Sequence, residues 1–257
     1  MNVLQQLLGE QLFVWMLVFL RIGTAFSVMP TIGDAFVTAR TRLLLALAVS
    51  VLVAPAIRPQ LPPMPGSPFQ LLVLAAGEMT VGIFLGTVAR LLMGTLEVAG
   101  TIISLQSGLA NAQIFNPALA TAGSLPGSLM GWLGLLLLLF VTDLHHLLIM
   151  AVVDSYATFV PGAAIPVDDM ANVVGQLVSK TFMMGVQMSA PFLITGVLFA
   201  LALGLLNKLA PQVQVFQLFT SVQVLLGLFM FALTLGAMMM FWLSRFESTF
   251  VDLLKPL

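Results

Sequence analysis

The sequence predicts an all-α protein of the membrane class, and three observations carry that expectation. Of its 257 residues, 60% are hydrophobic and only 7% charged, where an average soluble domain carries roughly 25% charged residues. The apolar residues gather in long runs bounded by glycine, proline and polar clusters. The few charges sit singly inside or beside those runs rather than on a solvated face. No internal repeat or low-complexity tract is evident, so residues 1–257 read as a single all-helical domain.

Each element follows from where those runs stop. Leu12 to Met29 is the first, and Pro30 ends it. Arg40 and Arg42 precede a run from Leu43 to Ala54 that Pro55 is expected to stop. That run falls short of the roughly 20 residues needed to cross a bilayer core, and fits a helical hairpin better than two independent spans. Between Pro59 and Pro68 lie five prolines. Proline fixes its own φ and biases its predecessor away from helix, so this is a loop outside the hydrocarbon. A long helix is expected from Phe69 to about Leu105, then helices over Leu129 to Thr142, Leu144 to Val160, Met170 to Asn207 and Val215 to Trp242. The N-terminus has no basic stretch ahead of its apolar run and no small-residue cleavage site, so the first segment is expected to stay in the mature chain.

Several function classes are excluded. Nine basic against ten acidic residues give a net charge of -1, which leaves no basic surface to grip nucleic acid. With no cysteine, disulfides, thiolate metal sites and cysteine nucleophiles are absent. Asp143, His145 and His146 gather both histidines beside a carboxylate. Adjacent histidines on a helix point about 100° apart, and no third nitrogen ligand or HExxH pattern accompanies them, so Asp143 reads as a cap for the following helix. No GxSxG or phosphate-binding loop occurs. The expectation is a chain that is not an enzyme, with no catalytic residue, metal or cofactor.

Charges inside apolar helices carry the next signal. Arg21, Glu78, Arg90, Glu97, Asp154 and Lys180 lie within or beside apolar segments, where each costs about 2.5–3.5 kcal/mol at a bilayer centre. Glu78, Arg90 and Glu97 all fall on the long third segment and are expected to be buried in a protein-facing polar seam, the alternative being that such charges snorkel to the interface. Arg90 and Glu97 are about two turns apart, too far for an i,i+4 pair, so partners on other helices are expected. Gly82 and Gly86 form a GxxxG, which permits close approach of backbones but is common in apolar sequence.

One stretch stands apart. From Ser104 through Gln106, Ser107, Gly108, Asn111, Phe115, Asn116 and Pro117 to Pro126 the chain is uncharged, small and polar, yet it lies between strongly apolar helices. Non-helical backbone at membrane depth survives only inside protein or beside a water-filled cavity. The composition is that of a segment that lines or closes a pore; the alternative is a plain extramembrane loop, which would usually carry Lys, Asp or Glu. A second polar interruption, at Asn207, Lys208, Pro211, Gln212 and Gln214, precedes Phe216.

Together, Asp143-Leu144-His145-His146, the Gln106 to Pro117 stretch and the segment from Leu203 to Phe216 resemble the FliR family of flagellar export-gate subunits and its type III secretion relatives, over nearly the whole chain. The sharpest motif is Pro211-Gln212 followed by Val215-Phe216. The family pattern has an asparagine where this sequence has Gln214, then a glycine and a proline where it has Phe219 and Ser221. The resemblance implies helices packed as bent hairpins in an assembly rather than as simple spans. It implies a gate in the bacterial inner membrane at the flagellar basal body, built with FliP- and FliQ-type subunits and other export-apparatus proteins, through which unfolded export substrates pass. In that setting Lys208, Pro211, Gln212, Gln214 and Phe216 form a bend facing solvent or a partner subunit. The rival reading is a secondary transporter for a small solute, which also uses broken helices and buried charges; it would be favoured by inverted repeats between the two halves, and none is seen.

Overall fold

The computed structural model of the chain describes residues 3–110, 123–142, 144–209 and 215–254, and these are helical apart from short connections. They form α1 (Val3–Val28), α2 (Ala39–Ile57), α3 (Pro68–Gln106), α4 (Leu125–Leu136), α5 (Leu144–Thr158), α6 (Val167–Leu209) and α7 (Val215–Leu254). A 3-10 turn, Arg58–Gln60, follows α2, and a π-helical turn, Leu137–Val141, follows α4. Five of the helices are long and apolar enough to cross a membrane, and the bent pair formed by α4 and α5 raises the number to six if it counts as one span. The 39, 43 and 40 residues of α3, α6 and α7 correspond to about 58–65 Å of helix at 1.5 Å per residue, roughly twice a bilayer's hydrocarbon core.

Some expected boundaries shift. Pro55 does not stop α2, which continues to Ile57, where the Arg58 N–H closes the last turn on the Ala54 carbonyl. A proline acts on the turn before it, where it forfeits one backbone bond, and leaves the turn after it free to close. At its other end α2 starts before Arg40 and Arg42, because the Thr38 hydroxyl accepts the Thr41 N–H and caps it. With the turn that follows, the apolar stretch reaches 22 residues and qualifies as a span, not the short hairpin arm that Leu43 to Ala54 implied. Ser124 caps α4 by accepting the Gly127 N–H, so that helix begins four residues before Leu129. The last helix runs past Trp242, because Arg245 and Glu247 are exposed and impose no burial cost.

The chain divides into two compact units. Unit 1 comprises residues 1–91, 138–176 and 249–257. Here α1 buries Leu17, Val18, Arg21, Ile22, Ala25 and Phe26, the spacing of a single helical face. The small residues Ala46, Ser50 and Ala54 bury one stripe of α2, and α1 and α2 pack together as a hairpin. On α3 the two GxxxG glycines meet α1 directly. A Cβ at Gly82 would strike the Arg21 carbonyl and the Thr24 hydroxyl, and one at Gly86 would lie 2.8 Å from both the Ala25 carbonyl and the Val28 Cβ. The motif is a helix–helix contact in this protein.

Unit 2 comprises residues 92–137 and 177–248. Its core is built on Leu92, Leu96, Ile103, Phe192, Trp242 and Phe246, all buried. Trp242 donates its indole N–H to the Leu92 carbonyl at 3.1 Å, which satisfies the one polar atom of a fully buried ring. Gly100 of α3 meets the backbone of Gly127 of α4, and Gly185 of α6 sits against Val98 and Ala99 of α3.

The glycine contacts generate a prediction. Gly82→Ala and Gly100→Ala drive a methyl group into backbone atoms, and overpacking of that kind costs about 1–3 kcal/mol. Both should lower the amount of intact, protease-resistant chain in membranes, while Gly131→Ala, where a Cβ meets open space, leaves it unchanged. Equal amounts for all three variants would show that the helix crossings are looser than described.

Candidate functional site

The most constrained polar group is Arg21, 1% exposed, in the middle of the apolar α1. Its guanidinium makes four hydrogen bonds. Nε donates to Glu78 Oε2 at 2.7 Å and Nη2 to Glu78 Oε1 at 3.0 Å, a bidentate pairing with α3. Nη2 also donates to the Phe159 carbonyl at 2.9 Å, and Nη1 to the Ser155 hydroxyl at 3.1 Å, so the end of α5 is tied to the same cation. The Tyr156 ring lies 3.8 Å beneath the guanidinium carbon, a cation–π contact strengthened by desolvation. Glu78 is itself only 2% exposed. The pair opens onto a cavity of about 510 Å³ walled by Val73, Leu74, Val81, Phe159 and Ile165.

Arg90 and Glu97, expected to be buried, are exposed in the chain. Arg90 donates to Asp34 Oδ1 at 3.0 Å and to the Val28 carbonyl at 3.0 Å, so it closes the end of α1 and grips the following turn. Arg42 holds the same turn through the carbonyls of Ile32, Asp34 and Val37. Within that turn Thr31 adopts φ 78°, a strained value for a β-branched residue, and Asp34 accepts its N–H at 2.9 Å. Glu97 serves α4: its Oε1 accepts the Ser124 N–H at 3.3 Å. A Cβ at either Gly123 or Gly127 would press on its carboxylate. Nothing in the sequence pattern singles out Asp34, Ser155 or Ser124 as partners, since short polar residues in turns and helix ends are common.

The polar stretch after α3 is only partly described. Gln106 closes α3, and Ser107 and Gly108 form the turn beyond it, with Gly108 at φ 74°. Gln223 of α7 donates its amide to the Gln106 carbonyl at 2.8 Å. Gly196 and Gly227 leave room for Gln106 and Ser107, since a Cβ at either would collide with those side chains. Asn111, Phe115, Asn116 and Pro117 lie outside the described residues. So do Pro211, Gln212 and Gln214 of the second bend, and the side chain of Phe216; Lys208 is exposed near the end of α6. Asp154 and Lys180 are exposed as well. Asp143 lies outside the described residues, while the rings of His145 and His146 stack at 4.1 Å and His145 Nδ1 lies 3.3 Å from the Leu138 carbonyl. Among the described residues no three histidine, aspartate or glutamate side chains gather as metal ligands.

Comparison with known proteins places this geometry. Residues 12–249 match the family described as bacterial export proteins, family 1. The flagellar biosynthetic protein FliR of Caulobacter vibrioides is 38% identical over 237 residues, which cover 92% of this chain and 94% of that protein. The FliR proteins of Escherichia coli and Bacillus subtilis are 31% and 29% identical, over 82% and 79% of this chain and 81% and 78% of their own lengths.

Removing one member of the buried pair leaves the other charged and unpaired, which costs about 3–5 kcal/mol, whereas a well-packed apolar replacement of both is often neutral. Arg21→Met should therefore abolish accumulation of folded chain, and Arg21→Met with Glu78→Met should recover much of it. Arg90→Ala and Glu97→Ala, on exposed groups, should be milder than Arg21→Met. Quantifying folded chain in membranes tests the order; a double variant no better than the single one would show that the charges themselves are required.

Proposed function

The chain belongs to the bacterial export proteins, family 1, the FliR family, and from that membership we propose how it works within the flagellar type III export gate. The observation that carries the reading is the match over residues 12–249, supported by 38% identity to a flagellar biosynthetic protein across nearly the full length of both chains. It is a membrane component of the export apparatus, and the family is one of transport rather than catalysis. This membership replaces the reading as a small-solute transporter.

In the proposed gate the chain acts as one domain in the inner membrane at the flagellar basal body. It assembles with FliP- and FliQ-type subunits and other apparatus proteins, and unfolded export substrates pass through the conduit they form. The exposed apolar surface supports assembly: only 17% of the apolar window of α6 and 22% of that of α7 are buried within the chain. Subunits or lipid must cover the rest. Gln106, Ser107 and Gly108 lead into the segment that helps close the conduit, with Asn111, Phe115, Asn116 and Pro117 supplying its body. The Gln223 bond to the Gln106 carbonyl fixes where that segment leaves α3. Lys208, Pro211, Gln212, Gln214 and Phe216 form the bend turned to a partner subunit or solvent.

Two outcomes test this reading. Produced without its partners, the chain should aggregate in mild detergent and become monodisperse on co-production with FliP- and FliQ-type subunits; a stable lone chain would count against assembly as its normal state. Phe115→Ala, or deletion within residues 111–117, should leave the complex assembled but raise the permeability of cells to small solutes. Normal permeability and normal secretion together would reduce the stretch to an ordinary connector.

A further inference from the structure

In unit 2 the end of α3 sits in a slot between α6 and α7. On α6, Gly196 leaves room for the Gln106 side chain; on α7, Gly227 faces Ser107 so closely that a Cβ there would strike the Ser107 Cβ and lie 3.1 Å from its Cα. Two aromatic pairs bracket the slot. Phe192 meets Phe231 edge to face with ring centroids 6.5 Å apart, and Phe199 meets Phe219 in the same way at 5.1 Å. On α6 the two rings stand one turn to either side of Gly196, while on α7 Phe231 stands one turn beyond Gly227 and Phe219 one turn before Gln223. Four rings set the spacing of α6 and α7, and the two glycines hollow it out between them.

Inside the slot the chain turns. Ser107 is buried, and its hydroxyl donates back to the Ile103 carbonyl at 2.6 Å. Gly108, also buried, takes φ 74°, and the chain winds back so that the Ala110 N–H reaches the Ser104 carbonyl at 3.0 Å. This is a glycine-capped helix end, which needs the left-handed residue that glycine supplies. The Gln106 carbonyl belongs to the last turn and has no partner in its own helix. Gln223, 117 residues away in sequence, donates its amide to that carbonyl at 2.8 Å. Water could satisfy the same oxygen but would not fix the direction of the turn.

We propose that Gln223 and Gly227 are positioning residues for closure of the conduit: together they seat the root of the closing segment against α7, so that the direction in which the segment leaves α3 is set by another helix. The inference rests on the closure role proposed for the stretch from Gln106 to Pro117. Gln223 acts through its hydrogen bond and Gly227 through the space it leaves for the Ser107 backbone. Loss of either frees the root while the aromatic pairs keep α6 and α7 together.

The test uses the chain co-produced with its FliP- and FliQ-type partners. Because the sequence holds no cysteine, spin labels at Ala110→Cys and at Ala232→Cys, the latter an exposed position of α7, read the distance from the root to that helix. With no further change the distance should be narrowly distributed and cells should stay sealed to small solutes. Gln223→Met should broaden the distance and raise solute permeability about fivefold, the change equivalent to ~1 kcal/mol for one hydrogen bond lost from the seated form, with the amount of assembled complex unchanged. Gly227→Ala should act in the same way through Ser107. Gln223→Lys, which keeps a donor, should preserve much of the seal, and Gly204→Ala, where a Cβ meets open space, should change nothing. An unbroadened distance in both Gln223→Met and Gly227→Ala overturns the positioning role. So does leak that appears only in proportion to lost complex, which would make the slot a packing contact. Deletion within residues 111–117 separates the two levels: a sealed deletion complex overturns the closure reading itself, whereas a leaky one beside sealed Gln223→Met and Gly227→Ala complexes overturns only the seat.

Discussion

A charged pair in an apolar interior dictates the geometry of unit 1. Arg21 and Glu78 are 57 residues apart in sequence and meet at 2.7 Å with both side chains almost wholly removed from solvent. Such a pair contributes little net stability over apolar side chains of the same volume, yet it penalises strongly any packing that separates its members. The α1–α3 crossing must therefore be close and correctly phased, and Gly82 and Gly86 remove the side chains that would prevent it. The hydroxyl of Ser155 and the carbonyl of Phe159 then complete the guanidinium's partners. Helices α1, α3 and α5 thus converge on one cation.

Among its described residues, unit 2 solves a related problem without a buried ion pair. Its helices approach at glycines, Gly100 on Gly127 and Gly185 on Val98, and its polar links include hydrogen bonds from Trp242 and Gln223 to α3 carbonyls. Glu97 organises the start of α4 while remaining exposed, because backbone N–H groups at a helix start attract a carboxylate wherever one is within reach. The polar stretch thus leaves α3 at a carbonyl gripped by α7 and rejoins the described chain at a glycine and a serine held by Glu97. Its two ends are fastened by residues of other elements.

A membrane setting changes the meaning of exposure here. Phe229, Leu201 and Leu209 are well over half exposed in the isolated chain, and in a membrane protein such surface faces something other than bulk water. Polar exceptions on such a surface are the informative ones. The Arg90–Asp34 pair at the end of α1 is one, stabilised by the turn it closes more than by its screened Coulomb energy.

The helical class, the membrane setting, the long third helix and the family were legible in the sequence. Apolar runs, proline clusters and motif spacing are local properties, and local pattern suffices to locate helices with no water around them. The caps showed how local chemistry shifts a boundary: Thr38 and Ser124 moved the starts of α2 and α4 ahead of the apolar runs. Only the tertiary structure decided which charges are buried. Glu78, Arg90 and Glu97 look alike along α3, each a lone charge in an apolar helix. Glu78 faces Arg21 across the crossing with α1, while Arg90 and Glu97 turn to a loop and to a helix start. A helix spreads its side chains over all directions, and the packing of distant segments determines which direction meets a partner and which meets solvent.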